Sequence, residues 1–193
     1  MSSQVSELPR RELNARQQET VERLLTAGLD ELRAAGHDGM TVRTVAQRAG
    51  VSPATAYTYL ASKNHLFAEL FWRHLAQLGR ADGAGGSATE RMQAAVRSLV
   101  QGIAEEPELA TAVTPALLGN DPDVDRLRLR IGAQFVTRFE AALGDAPDPP
   151  LVDAMTLAFS GALLQAGMGL MTYAEMADRL DAVVAVIMRG NDR

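Results

Sequence analysis

The chain has 193 residues, 47% hydrophobic and 22% charged. That is enough to bury the core of one or two small domains and too apolar for wholesale disorder. The absence of cysteine excludes a disulfide scaffold, a thiolate metal site and a cysteine nucleophile. A net charge of -5, taken as one number, argues against a nucleic-acid binder, which carries a basic footprint.

Residues 1–9 are Ser-rich with the single charge Glu7. With no basic start ahead of an apolar run, they read as a flexible arm and not as a secretory signal. Val21, Leu24, Leu25, Gly28, Leu29 and Leu32 then share one helix face, and Gly36 and Gly39 end that helix. Val42, Val45, Ala46 and Ala49 give a short second helix, opened by Thr41 and stopped by Gly50. Ser52-Pro53 starts a third, a hydroxyl cap followed by proline at the first helical position. Ser62 caps a longer one lined by Leu66, Leu70, Phe71, Leu75 and Leu78.

Residues 79–89 have linker composition and mark the expected boundary. Beyond them, Met92, Val96, Leu99, Val100 and Ile103 line a helix that ends before Pro107. Leu109, Val113 and Leu117 mark another, which Pro115 should disturb by removing a backbone donor. Asp121-Pro122 opens a helix carrying Val124, Leu127, Ile131, Phe135, Phe139 and Leu143. Residues 151–171 form the next. They overlap the uncharged stretch 154–172, long enough to raise a membrane span. Its Thr, Ser, Gln and Gly content and the lack of flanking cations favour a helix buried in a core or subunit contact. The last helix carries Met176, Leu180, Val183, Val184 and Ile187 and is closed by Gly190. The expected fold is all-α, with about nine helices, no strand alternation and no repeat.

Catalytic constellations are missing. His37, His65 and His74 have no metal-ligand spacing, the glycines of residues 79–86 follow no strand and lack a Lys-Ser/Thr ending, and no Gly-x-Ser-x-Gly occurs. The acids at 121, 123 and 125 suit a helix start. No enzyme activity, cofactor or metal is expected.

The informative stretch is residues 40–63. A helix-turn-helix needs a small residue where its helices cross, and Ala46 fills that place. It needs a residue tolerant of positive φ at the turn, and Gly50 supplies it. Val45, Ala49, Val51, Ala56 and Tyr59 supply the apolar glue. The helix after the turn is short, as suits entry into a major groove. Thr41, Arg43, Ser52, Thr55, Tyr57, Thr58, Tyr59 and Lys63 offer hydroxyls, phenols and cations for phosphates and base edges. No acid occurs in residues 39–68, where a carboxylate would repel phosphate.

In residues 41–66 this sequence resembles the N-terminal domain of the TetR family of bacterial transcriptional repressors. The Ala-Gly-Val-Ser core, the Tyr-x-Tyr pair and the Ser-Lys before the fourth helix fall in register together, and the likeness spans about residues 10–78. The resemblance implies an all-helical homodimer. Its parts would be an arm at 1–9, a helix-turn-helix domain at 10–60 and a ligand-binding and dimerisation domain at 61–193. It implies DNA contacts from Thr41, Arg43, Ser52, Pro53, Ala54, Thr55, Tyr57, Thr58, Tyr59 and Lys63. Three positions depart from the family pattern: Ala56 and Leu60 replace larger side chains, and His65 replaces an acid, so Ser62 forms no capping box. The second half is similar, more loosely, to an actinobacterial subgroup that includes a cholesterol-catabolism repressor, around residues 109–118, the Asp-rich helix start and the final helix pair.

The expected partners are a double-stranded operator, a small apolar effector (drug-like, lipid or acyl-CoA type) and a second copy of the chain in the cytoplasm, with no membrane. Candidate effector contacts are Trp72, Leu75, Met92, Val96, Leu99, Ile103, Val113, Phe135, Phe139 and Phe159. Candidate dimer contacts are Gly161, Leu164, Gln165, Met168, Leu180, Val183, Val184 and Ile187, with the inward faces undecided. The charge divides accordingly: residues 1–79 are net +1 and residues 80–193 net -6. Lys63 is the only lysine beside 18 arginines.

Overall fold

The computed structural model describes residues 15–79 and 85–191. The expected arm at 1–9, the first residues of the helix-turn-helix domain and residues 80–84 of the linker lie outside the described residues. Among the described residues nine helices follow one another: α1 Ala15–Gly39, α2 Val42–Arg48, α3 Pro53–Tyr59, α4 Lys63–Gln77, α5 Ala88–Ala104, α6 Pro107–Leu118, α7 Pro122–Leu143, α8 Pro149–Gly167 and α9 Tyr173–Ile187. No strand occurs among the described residues. α1 to α3 form an N-terminal unit, and α4 leads from it to pack against α6 and α7. α5, α7, α8 and α9 complete the C-terminal bundle.

The expected boundaries hold wherever a capping residue writes them. Thr41, Ser52, Ser62, Ser87, Asp121 and Thr172 each accept a backbone N–H in the first turn of the helix that follows. Each satisfies a donor that the helix itself leaves orphaned. α1 breaks at Gly36, whose φ of 67° lies where a Cβ is disfavoured.

Two expectations are corrected. α6 runs unbroken through Pro115 to Leu118, because the proline falls in the last turn and costs one backbone bond, to the exposed Thr111. α8 ends at Gly167 and not near residue 171. There the Gly169 N–H bonds the Ala166 carbonyl at 2.9 Å and the Leu170 N–H bonds that of Gln165 at 2.9 Å. This is a Schellman closure, built on the positive φ of Gly169.

The C-terminal core is centred on three aromatics of α7 and α8. Phe159 lies with its ring centroid 4.9 Å from Phe135 and 5.8 Å from Phe139, in tilted and edge-on geometries that favour such rings. Arginines close three helices from outside. Arg138 of α7 donates to the carbonyls of Leu75 and Leu78 at the end of α4, at 2.6 and 3.1 Å. Arg128 donates to those of Leu117 and Gly119 at the end of α6, at 2.7 and 2.9 Å. Arg91 of α5 donates to that of Ala142 at the end of α7, at 2.9 Å. Each brings positive charge to a carbonyl-rich helix terminus.

One contact joins the start of α4 to the start of α7. The Ser62 hydroxyl accepts the His65 N–H at 2.9 Å and donates to Asp121 Oδ2 at 2.6 Å, while Asp121 Oδ1 accepts the Asp123 N–H at 3.0 Å. Two helix caps therefore share one hydrogen bond. Ser62→Ala is expected to lower the unfolding free energy by about 1–2 kcal/mol. The readout is a lower urea midpoint at an unchanged m-value; an unmoved midpoint refutes the shared cap.

Candidate nucleic-acid interface

α2 and α3 are set by their turn. The Gly50 N–H bonds the Gln47 carbonyl at 3.1 Å and the Val51 N–H bonds that of Ala46 at 3.0 Å. This Schellman closure requires the φ of +65° at Gly50. It brings α3 across α2, with Val45, Ala46 and Ala56 buried between them and α1, and Ala49, Val51 and Tyr59 packed at the margin. Ala56 and Leu60, the departures from the family pattern, are both buried. His65 forms no capping box with Ser62, but its Nδ1 accepts the Ala61 N–H at 3.2 Å, one residue earlier.

The packing leaves one polar face outward. Thr41, Arg43, Ser52, Pro53, Ala54, Tyr57 and Thr58 are exposed, and Thr55, Tyr59 and Lys63 are half-buried. Tyr57 is 54% exposed, which is unusual for an aromatic side chain with no apolar partner to gain. The hydroxyls are held in place. Ser52 Oγ accepts the Thr55 N–H at 3.1 Å and lies 2.9 Å from Thr55 Oγ1. Thr58 donates to the Ala54 carbonyl at 3.0 Å, and Thr41 and Thr44 cap each other reciprocally.

The cations differ in availability. Arg48 is paired with Glu31 at 2.7 Å, and Arg73 is paired with Glu22 and Glu69. The pair of acceptors holds the Arg73 guanidinium above its ordinary pKa against the opposing cost of its partial burial. Arg43 has no ion-pair partner among the described residues. Lys63 Nζ donates to the His37 carbonyl at 2.8 Å, tying the start of α4 to the end of α1 and leaving two ammonium protons for a phosphate.

Three comparisons bear on this geometry. The profile described as "Bacterial regulatory proteins, tetR family" matches residues 24–70. An uncharacterized HTH-type transcriptional regulator of Mycobacterium tuberculosis is 45% identical over 179 residues, covering 92% of this chain and 84% of the relative. The HTH-type transcriptional repressor KstR of Mycolicibacterium smegmatis is 30% identical, covering 67% of this chain and 65% of its own length. The chain belongs to the TetR family. A crystal structure of a TetR transcriptional regulator from Rhodococcus sp. RHA1 has the same fold, with a TM-score of 0.74 over 90% of this chain and 97% of that one at 17% identity. The resemblance found in residues 41–66 is thereby confirmed. As a TetR-family transcriptional regulator, the protein is not an enzyme.

The C-terminal half of this TetR-family chain holds an apolar cleft of about 280 Å³ between α6, α7 and α8, lined by Val113, Thr114, Leu117, Leu118, Arg128, Ile131, Gly132, Phe135, Ser160, Leu163 and Leu164. Of the ten candidate effector contacts, Val113 and Phe135 line it. Leu75, Met92, Val96, Leu99, Ile103, Phe139 and Phe159 are buried in the core, and Trp72 lies half-buried beneath Arg130, 3.4 Å from its ring centroid. Thr114, Arg128, Gly132 and Ser160 escaped the reading of the sequence, because helix periodicity finds buried faces and not gaps between them.

The candidate dimer residues also divide. Leu180 and Val184 are buried in the core of the protomer itself, because α9 packs against α5 and α8. Gly161, Gln165, Met168 and Val183 are exposed, and Leu164 and Ile187 are half-buried. Leu157, at 75% exposure, and Val186, at 63%, lie on the same two helices. Among the described residues no helix is long and apolar enough to cross a membrane, and no cluster of His, Asp and Glu suits a metal ion.

The turn generates a prediction. Gly50→Ala meets no neighbour, so its cost is that of placing a Cβ at positive φ, about 1–2 kcal/mol. A drop in melting temperature of several degrees is expected by differential scanning calorimetry.

Proposed function

We propose that this transcriptional regulator is a ligand-responsive repressor. It binds a near-palindromic operator as a homodimer in the cytoplasm and is released by a small apolar effector. The observation that carries the DNA reading is the outward face of α2 and α3, which is polar, free of acids and supplied with Arg43 and Tyr57, followed by Lys63 at the start of α4. A dimer would present two α3 helices to successive major grooves, about 34–36 Å apart. The relation to the repressor KstR supports repression over activation.

The effector reading rests on the cleft and on α6. This helix forms one cleft wall and packs on both α1 and α4. Its N-cap residue Glu106 accepts a hydrogen bond from Arg33 of α1 at 3.2 Å. A ligand that widens the cleft would therefore press on the element that carries the DNA-binding unit. Release follows if the ligand binds more tightly to the arrangement with the wrong α3 spacing.

Fluorescence anisotropy with the promoter of the protein's own gene tests the DNA reading. Arg43→Ala and Tyr57→Ala are each expected to weaken binding about 10-fold or more, Lys63→Ala is expected to weaken it as well, and added salt is expected to weaken it steeply. No specific binding to any upstream fragment refutes it. Silent substitutions at Arg43 and Lys63 would favour an interaction module that does not touch DNA.

The dimer reading rests on α8 and α9, whose exposed Leu157, Gly161, Met168, Val183 and Val186 match the apolar seam of a two-fold four-helix bundle. Leu157→Glu and Val186→Glu are expected to convert a dimer to a monomer at about micromolar concentration in multi-angle light scattering. A monomeric unsubstituted chain under the same conditions contradicts the reading.

A further inference from the structure

Resting on the reading of the α6–α8 cleft as the effector site, we infer that its ligand is uncharged, largely hydrocarbon and carries one hydroxyl or ketone. Arg128, the only charged group on its wall, serves as a structural clamp and not as a counter-ion.

That arginine is already engaged by three acceptors. Its Nε donates to the Leu117 carbonyl at 2.7 Å, its Nη2 to the Gly119 carbonyl at 2.9 Å, and its Nη1 to Asp125 Oδ1 at 2.6 Å. The positive charge is thus offset by a carboxylate and by the negative end of the α6 dipole. A ligand carboxylate at this rim would give up its water and find no unbalanced cation in return. Drawing Arg128 away to meet it would reopen the end of α6, leaving two carbonyls unsatisfied.

The rest of the wall is apolar, from Val113, Leu117, Ile131, Phe135 and Leu163. Two neutral polar groups interrupt it. Thr114 donates its proton to the Ala110 carbonyl at 3.1 Å and keeps lone pairs to offer. The Ser160 hydroxyl has no partner among the described residues and can donate or accept. They suit a hydroxyl or ketone and not an ion. The volume of about 280 Å³ sits at the small end of ligand sites. At Gly132 a Cβ would meet nothing within 4 Å, so the cleft is open there, and a large side chain at that position would enter it.

Equilibrium dialysis of the full chain against 1-decanol and decanoate near neutral pH tests this, since the two share a chain length and differ in charge. The alcohol is expected to bind at least about 10-fold more tightly. Gly132→Phe should abolish its binding, with circular dichroism checking the fold; Leu163→Trp provides a second block from α8 if that variant does not fold. Decanoate binding as tightly as the alcohol, and lost in Arg128→Gln, overturns the inference by making the arginine a counter-ion. Binding of the alcohol that survives both blocks overturns it by placing the ligand elsewhere. Failure of both probes to bind a preparation that still binds its promoter overturns it together with the effector role of the cleft, and leaves the DNA reading standing.

Discussion

A chain built of helices alone must close the ends of every helix, since the last carbonyls and first N–H groups of each have no partner within it. Most of the structure described above is a set of answers to that requirement. At the N-termini the answer is local: Thr41, Ser52, Ser62, Ser87, Asp121 and Thr172 each turn back on the next turn of chain. At several C-termini it is a glycine with positive φ, as at Gly50 and Gly169, or an arginine from another helix. Arg91, Arg128 and Arg138 play that part. The planar fork of arginine can serve two carbonyls at once where an ammonium serves as a point charge, which gives a physical use to the preponderance of arginine over lysine.

The same requirement links the two halves of the molecule. Ser62 and Asp121 close α4 and α7, and each also satisfies the other. Lys63, the next residue, holds the end of α1 through the His37 carbonyl. This polar corner adds to the packing of α1 on α4 and α6 and to the Arg33–Glu106 and Arg73–Glu22 pairs, which also join the helix-turn-helix unit to the rest of the molecule.

Legibility in the sequence followed the range of the interactions. The caps at Thr41, Ser52 and Ser62, the turn at Gly50 and the buried helix faces depend on residues within a few positions of one another, so spacing revealed them. The polar face of α2 and α3 was legible because the absence of acids over residues 39–68 is itself a local pattern. The arginine closures were not legible, since Arg138 meets Leu75 across 63 positions. The cleft was missed for a related reason: Met92 and Phe139 look the same in sequence whether they pack on a neighbour or on a gap. Leu180 and Val184 illustrate the remaining ambiguity. Periodicity groups them with Val183 and Ile187 on an aliphatic helix but cannot say which part of its circumference meets the protomer's own core.

Trp72 is the only tryptophan in the chain. It stands on α4 with the guanidinium of Arg130, from α7, over its ring at 3.4 Å, a contact of cation–π type. Its indole therefore senses the separation of α4, which leads out of the DNA-binding unit, from α7 of the C-terminal bundle. The native molecule carries its own optical gauge: a change in tryptophan emission on ligand addition would report movement between α4 and α7 with no label attached and no background from a second indole.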